Sequence, residues 1–156
     1  MKPAVERVAA ALRAAGVVGD VTEFAQSTRT AEEAATAVGA TVGQIVKSLV
    51  FLAGDTPLLA LVNGANRADP ELLAQITGAT IHRADADAVR AATGYSIGGV
   101  PPIGHASPLR TFLDADLLRF DIIWAAAGTP NAVFPITPTD LQRITGAQVA
   151  EIAARA

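Results

Sequence analysis

The apolar positions of this chain follow two rhythms. From Ala4 to Ala15, Val5, Val8, Ala9 and Leu12 recur every three to four residues, which predicts a helix that Gly16 ends. Val21 to Ala25 alternates and predicts a short strand. Ile45 to Ala53 is apolar at nearly every position except Lys47 and Ser48, as expected of a strand buried on both faces. Gly54-Asp55-Thr56-Pro57 then turns the chain, and Leu58 to Val62 returns as a hairpin partner. Thr80 to His82 and Leu109 to Leu113 predict two further strands. Phe120 to Ala126 and Ala132 to Ile136 predict a second hairpin around Gly128-Thr129-Pro130-Asn131.

Polar residues mark where helices begin. Thr30-Ala31-Glu32-Glu33 is a capping box, in which the Thr30 hydroxyl caps the Glu33 amide and Glu33 reaches back; its helix runs to Val38, with Gly39 as the stop. Asp69-Pro70-Glu71 opens another helix that ends near Gly78. Asp85 caps Ala86 to Ala92, and Thr137-Pro138-Thr139-Asp140 opens a helix through Ile144. Ala147 to Ala154 is expected to add a last helical turn or two. Leu73 to Ala79 resembles Leu141 to Ala147, each ending in Thr-Gly-Ala. Shared helix-stop chemistry explains this more economically than duplication. Helices mixed with hairpins predict an α+β fold: a mixed, largely antiparallel sheet flanked by helices, as one domain over residues 1–156 with its core at about 20–150.

Composition narrows the chemistry. The chain is 51% hydrophobic and 17% charged, so it has material for a core and is not disordered. It has no cysteine, which excludes disulfides and thiolate catalysis and makes a cytoplasmic protein the simple expectation. No apolar run reaches eighteen residues, so no membrane partner is expected. Charge appears too early at the N-terminus for a secretory signal. The net charge of −3 argues against a protein that grips nucleic acid mainly through its phosphates, but leaves room for contact with a short RNA end.

Two features carry candidate chemistry. Lys47 is one of two lysines, Lys2 being the other, against ten arginines. A compact ammonium set in an apolar strand can bind phosphate, polarise a carbonyl or act as a base when desolvated. The plainer reading is a strand lysine whose amine snorkels to water. The second feature is the loop Gly94 to His105. Its Gly98-Gly99-Val100-Pro101-Pro102 fits G-x-x-x-P, and Gly104 follows. Glycines let a ligand approach the backbone closely and prolines stiffen it, which makes a ledge of amides able to hold an oxyanion. It is neither a P-loop nor a dinucleotide fingerprint. His105 can exchange a proton; His82 is read as structural. No metal-ligand spacing and no Ser-His-Asp order is present. Arg67, in the polar turn Asn63 to Asp69, can meet a phosphate, although a solvated turn arginine is the commoner case.

In order and spacing these motifs resemble one family. The Thr30 to Ala35 helix start leads into Ile45 to Phe51. The Gly94 to His105 loop follows, then Thr111-Phe112-Leu113-Asp114, Ala126-Ala127-Gly128, Asp140-Leu141 and Thr145-Gly146-Ala147. Together they are similar to the YbaK family, the editing domain associated with prolyl-tRNA synthetase, over about residues 20–150. The resemblance implies a free-standing trans-editing enzyme that hydrolyses the ester joining a wrong small amino acid (alanine, cysteine, serine or threonine) to a tRNA 3′ end. It implies Lys47 as the catalytic residue. It implies substrate binding by Gly98, Gly99, Val100, Pro101, Pro102, Gly104 and His105, with Thr30 and Gly128. No cofactor and no metal is implied. The implied partners are the mischarged tRNA end and an aminoacyl-tRNA synthetase. Some members carry asparagine after the lysine, where this chain has Ser48, and that leaves the amino acid open. A non-catalytic module holding a tRNA end or a synthetase, and a small-molecule or Schiff-base hydrolase using Lys47, stand as alternatives. The deacylase reading requires the Lys47 amine and the glycine ledge to border one cavity, and it fails if the sheet separates the amine from the ledge.

Overall fold

The computed structural model describes residues 1–155. Helix α1, Pro3–Ala14, buries Val5, Val8, Ala9 and Leu12, the positions its spacing marks. After β1, Thr22–Glu23, comes α2, Ala31–Val38. Its capping box is formed at both ends: Glu33 N–H donates to Thr30 Oγ1 and Thr30 N–H donates to Glu33 Oε1, each at 3.1 Å. A 3-10 turn, Val42–Gln44, leads into β2, Ile45–Ala53, and β3, Thr56–Asn63. There follow β4 (Arg67–Ala68), α3 (Pro70–Thr77), β5 (Ile81–Arg83) and α4 (Ala86–Thr93). Beyond the glycine-rich loop lie β6 (Arg110–Asp114), a 3-10 turn (Ala115–Arg119), β7 (Ile123–Ala126), β8 (Ala132–Ile136) and α5 (Pro138–Thr145). The chain closes with β9 (Gln148–Ala150) and β10 (Ala153–Ala154).

The main sheet runs β1-β8-β7-β2-β3-β6-β9, with β5 also on β2. Both expected hairpins, β2/β3 and β7/β8, are antiparallel, as are β1/β8 and β2/β5. Three pairs are parallel: β2/β7, β3/β6 and β6/β9. Parallel neighbours need a crossover, and α3 with α4 supplies the one between β3 and β6. The sheet is therefore mixed, as expected. Its two faces separate with a period of two along β3: Leu59 and Leu61 join α1 residues and Val46, Val50 and Leu113, while Leu58, Ala60 and Val62 join Leu73, Phe51, Phe112 and Ile152. On α2, Ala31, Ala34 and Ala35 pack with Ile45.

One expectation fails. Residues Ala147 to Ala154 are not helical but form β9 and β10, which pair with β6 and β4. Alanine favours a helix, but the open edge of β6 offers a backbone ladder there. Val149 packs towards one core, and Ala150 and Ile152 towards the other, so pairing overrides propensity. The repeated Thr-Gly-Ala is helix-stop chemistry. The Thr77 and Thr145 hydroxyls donate to the Leu73 and Leu141 carbonyls at 2.8 and 2.7 Å, and Gly78 and Gly146 follow in the left-handed conformation. The strands that follow then pair differently, antiparallel on β2 for one and parallel on β6 for the other.

Candidate functional site

Strand β2 holds the site because one of its edges is split. It pairs with β7 only over Ile45 and Val46, and with β5 only over Phe51 to Ala53. Gly64 N–H donates to Ile45 C=O at 2.7 Å, so odd-numbered residues turn their main-chain groups towards β3. Val50 C=O, on the opposite edge, accepts from Ala84 N–H. The main chain of Ser48 therefore turns towards the gap between β7 and β5. A cavity of about 400 Å³ occupies that gap. Its walls are Thr30, Glu32 and Ala34 at the start of α2, Lys47 to Leu49 of β2, Trp124 to Ala126 of β7, and Gly98 and Val100 of the loop. Arg29 and Arg83 also line it.

Alternation along β2 sends Ser48 towards the face that holds Val46 and Val50, and Lys47 towards the face that holds Leu49 and Phe51. Lys47 and the glycine loop thus reach the cavity from opposite faces, and meet there because the sheet is open between them. The Lys47 ammonium donates to the main-chain carbonyl of Asn66. Burial pushes its pKa below the ordinary lysine value. Glu32 and Asp114 oppose that shift and Arg67 adds to it. Ser48 Oγ is buried with no hydrogen-bond partner among the described residues, an uncommon state for an interior hydroxyl.

The loop is held by its own contacts. Tyr95, buried, donates its hydroxyl to Gly104 C=O at 2.9 Å, and the Arg7 guanidinium lies 4.8 Å from its ring centre. His105 Nε2 sits 2.6 Å from Pro101 O; since a carbonyl only accepts, that nitrogen carries the proton. Burial lowers the His105 pKa, and this hydrogen bond works against that. Gly99 N–H donates to Ser96 C=O at 3.0 Å and so closes a turn within the loop, while Gly98 and Val100 line the cavity. A Cβ on Gly99 would lie 2.8 Å from Thr129 Cα, which explains the second glycine as packing.

Of the residues singled out in the sequence, Lys47, Thr30, Gly98 and Val100 share the cavity. Pro102, Gly104 and His105 line a different one with Thr111 and Ile144. Pro101 is buried beside them and accepts from His105. Gly128 lies against Ala4 of α1. Arg67 is exposed on β4. Sequence reasoning missed Arg29, Arg83, Asn66 and Asp114. Asp114-Ala115-Asp116, placed directly after an apolar strand, was a readable signal for the last of these, since buried carboxylates need partners. Among the described residues no group of three or more His, Asp or Glu side chains could hold a metal ion, and no helix is long and apolar enough to cross a membrane.

Residues 25–144 match the family model described as "Aminoacyl-tRNA editing domain". The chain is 34% identical over 131 residues to "Uncharacterized protein YwhH" of Bacillus subtilis (strain 168), covering 83% of each. It is 31% identical over 127 residues to "Putative Cys-tRNA(Pro)/Cys-tRNA(Cys) deacylase EbsC" of Enterococcus faecalis (strain ATCC 700802 / V583), covering 78% of this chain and 76% of that protein. A solved structure described as "a putative trans-editing enzyme for prolyl tRNA synthetase" superposes with a TM-score of 0.94 at 48% identity, covering 99% of both chains. With the capped α2, the Lys47 strand and the Gly98 loop brought to one cavity, the family match over 25–144 identifies this chain as a member of the aminoacyl-tRNA editing domain family.

Proposed function

We propose that this protein is a trans-editing deacylase that removes a small amino acid (alanine, serine, threonine or cysteine) from the 3′ end of a mischarged tRNA. The observation that carries the reading is the cavity at the split of β2, bordered by the Lys47 strand on one side and by Gly98 and Val100 on the other. The aminoacyl ester enters the gap. In this reading the Gly98 and Val100 amides serve as donors to its carbonyl oxygen as negative charge develops. Water attacks the carbonyl carbon, the bond to the ribose oxygen breaks, and that oxygen regains a proton. The products are a free amino acid and an uncharged tRNA end. An ester is labile enough for positioning and charge stabilisation to carry the reaction without a side-chain nucleophile. Lys47, as an ammonium, holds the terminal nucleotide's phosphate or the developing charge, and Arg29 and Arg83 add positive charge at the cavity.

Ile45, Val46 and Val133 give the cavity an apolar wall. Such walls separate side chains by only about 1–3 kcal/mol per methylene. A tRNA carrying the wrong amino acid and an aminoacyl-tRNA synthetase are the proposed partners, in the cytoplasm where charging takes place. The test is deacylation of Ala-, Ser-, Thr- and Cys-charged tRNA by wild type and Lys47→Ala. Wild type should hydrolyse at least one, and Lys47→Ala none while remaining folded. Unchanged turnover in the variant would remove Lys47 from the mechanism. Binding without turnover by wild type would assign a non-catalytic tRNA-end module instead.

A further inference from the structure

Behind the cavity lies a buried polar network that the reaction does not use directly. Asn66, Asp114 and Asp116 are 7%, 4% and 7% exposed. The Asn66 side-chain amide donates to Asp114 Oδ2 at 3.0 Å and to Asp116 Oδ2 at 2.8 Å, using both of its hydrogens. Its main-chain N–H donates to Asn63 C=O at 2.8 Å, and Asn63 N–H donates to Asp114 Oδ2 at 3.0 Å. Asp116 N–H in turn donates to Asp114 Oδ1 at 3.0 Å. The Asn63–Asn66 turn is thus fixed from both ends. The single main-chain group of Asn66 left over, its carbonyl, accepts from Lys47.

A lysine stem has four rotatable bonds, so a strand position alone does not fix its amine. An ammonium has three donors; one goes to Asn66, which leaves two for a substrate. We propose that Asn66 is the positioning residue for Lys47: its carbonyl sets where the ammonium sits, and its side chain, clamped by Asp114 and Asp116, sets where that carbonyl sits. This rests on the role given to Lys47 above. The competing account is that Asn66 merely satisfies two buried carboxylates. The two accounts differ in what happens to Lys47. The charged groups facing its amine are Glu32 from α2, Asp114 from β6 and Arg67 from β4, and a neutral change at Asn66 leaves all three in place.

The chain has two lysines, so nuclear magnetic resonance of lysine labelled with carbon-13 at Cε gives two signals, with exposed Lys2 as internal reference. We expect the Lys47 titration to move to progressively lower pH from wild type through Asn66→Ser to Asn66→Ala, as the ammonium loses its fixed acceptor, while Lys2 stays in place. On the mischarged tRNA that wild type hydrolyses best, kcat should fall roughly tenfold to a hundredfold in Asn66→Ala, with KM nearly unchanged. The alkaline limb of the rate profile should follow the lysine titration. Asn66→Ser keeps one donor of two and carries the test should the alanine variant not fold. A folded variant with Lys47 titrating as in wild type would overturn the proposal. The titration is read without any turnover. Shifted lysine signals in a protein that hydrolyses none of the tRNAs would sink the deacylase reading while leaving the positioning of Lys47 intact.

Discussion

Gly98 has φ of +92°, and a Cβ built on it would sit 2.8 Å from Arg29 Nε. Side chains other than glycine's lose roughly 1–2 kcal/mol in that conformation. Gly98→Ala should therefore lower stability by about that amount in urea unfolding. It should also displace Arg29 from the cavity and lower deacylation by more than the stability loss explains; full activity would show that the loop's backbone is not part of the site. At this scale the sequence spoke clearly about two residues. The rarity of lysine marked Lys47, and the G-x-x-x-P pattern marked Gly98. It was silent about Asn66, whose importance comes from Asp114, forty-eight positions away. It misjudged the Gly99 amide, which a local turn to Ser96 consumes. His105 drew attention as a proton carrier, yet its ring nitrogen spends its proton on holding Pro101.

Helix α2 puts Thr30 and Glu32 at the cavity, so its cap is both a stability element and a wall. The hydrogen bonds from Thr30 and Ser27 hold the Glu33 carboxyl below its ordinary pKa, which reports that the box is made. Thr30→Ala should cost about 1 kcal/mol, measured by urea unfolding. Its deacylation should weaken with the frayed helix start, whereas Thr30→Ser, which keeps the oxygen, should restore both. Caps and stops of this kind are local chemistry within a few residues, and each capped helix start read from the sequence is present. The β2/β3 and β7/β8 hairpins were equally legible, because their turns lie beside their strands. Strand β9 was not, because its partner β6 is more than thirty residues away and alanine-rich composition points elsewhere.

Across the whole molecule, Arg155 ties the end of the chain to the network behind the site. Its guanidinium donates to both Asp116 oxygens at 2.8 and 2.9 Å. The hydrogen bonds from Arg155, then from Asn66, lower the Asp116 pKa from the ordinary 3.8 to about 2. A carboxyl depressed on folding contributes stability that is full above 3.8 and lost as the pH falls towards 2. In Arg155→Ala that pKa rises towards its ordinary value, so the acid-unfolding midpoint followed by circular dichroism should move to higher pH. Stability near neutrality, where this contribution is full, should fall in the same variant, and only modestly, because the arginine side chain is 71% exposed and its pair is screened. An unmoved acid midpoint would show that Asn66 alone holds Asp116 in its charged form. The sequence by itself determined the helices, the two hairpins, the α+β class and the pair of motifs, since periodicity, caps and turns depend on neighbours within a few residues. Only the tertiary structure decided that β2 would be left unpaired between β7 and β5, that Lys47 and the glycine loop would meet through that opening from opposite faces, and that Asn66 would hold the amine. Those outcomes depend on strand register and on contacts between distant residues, which no local pattern encodes.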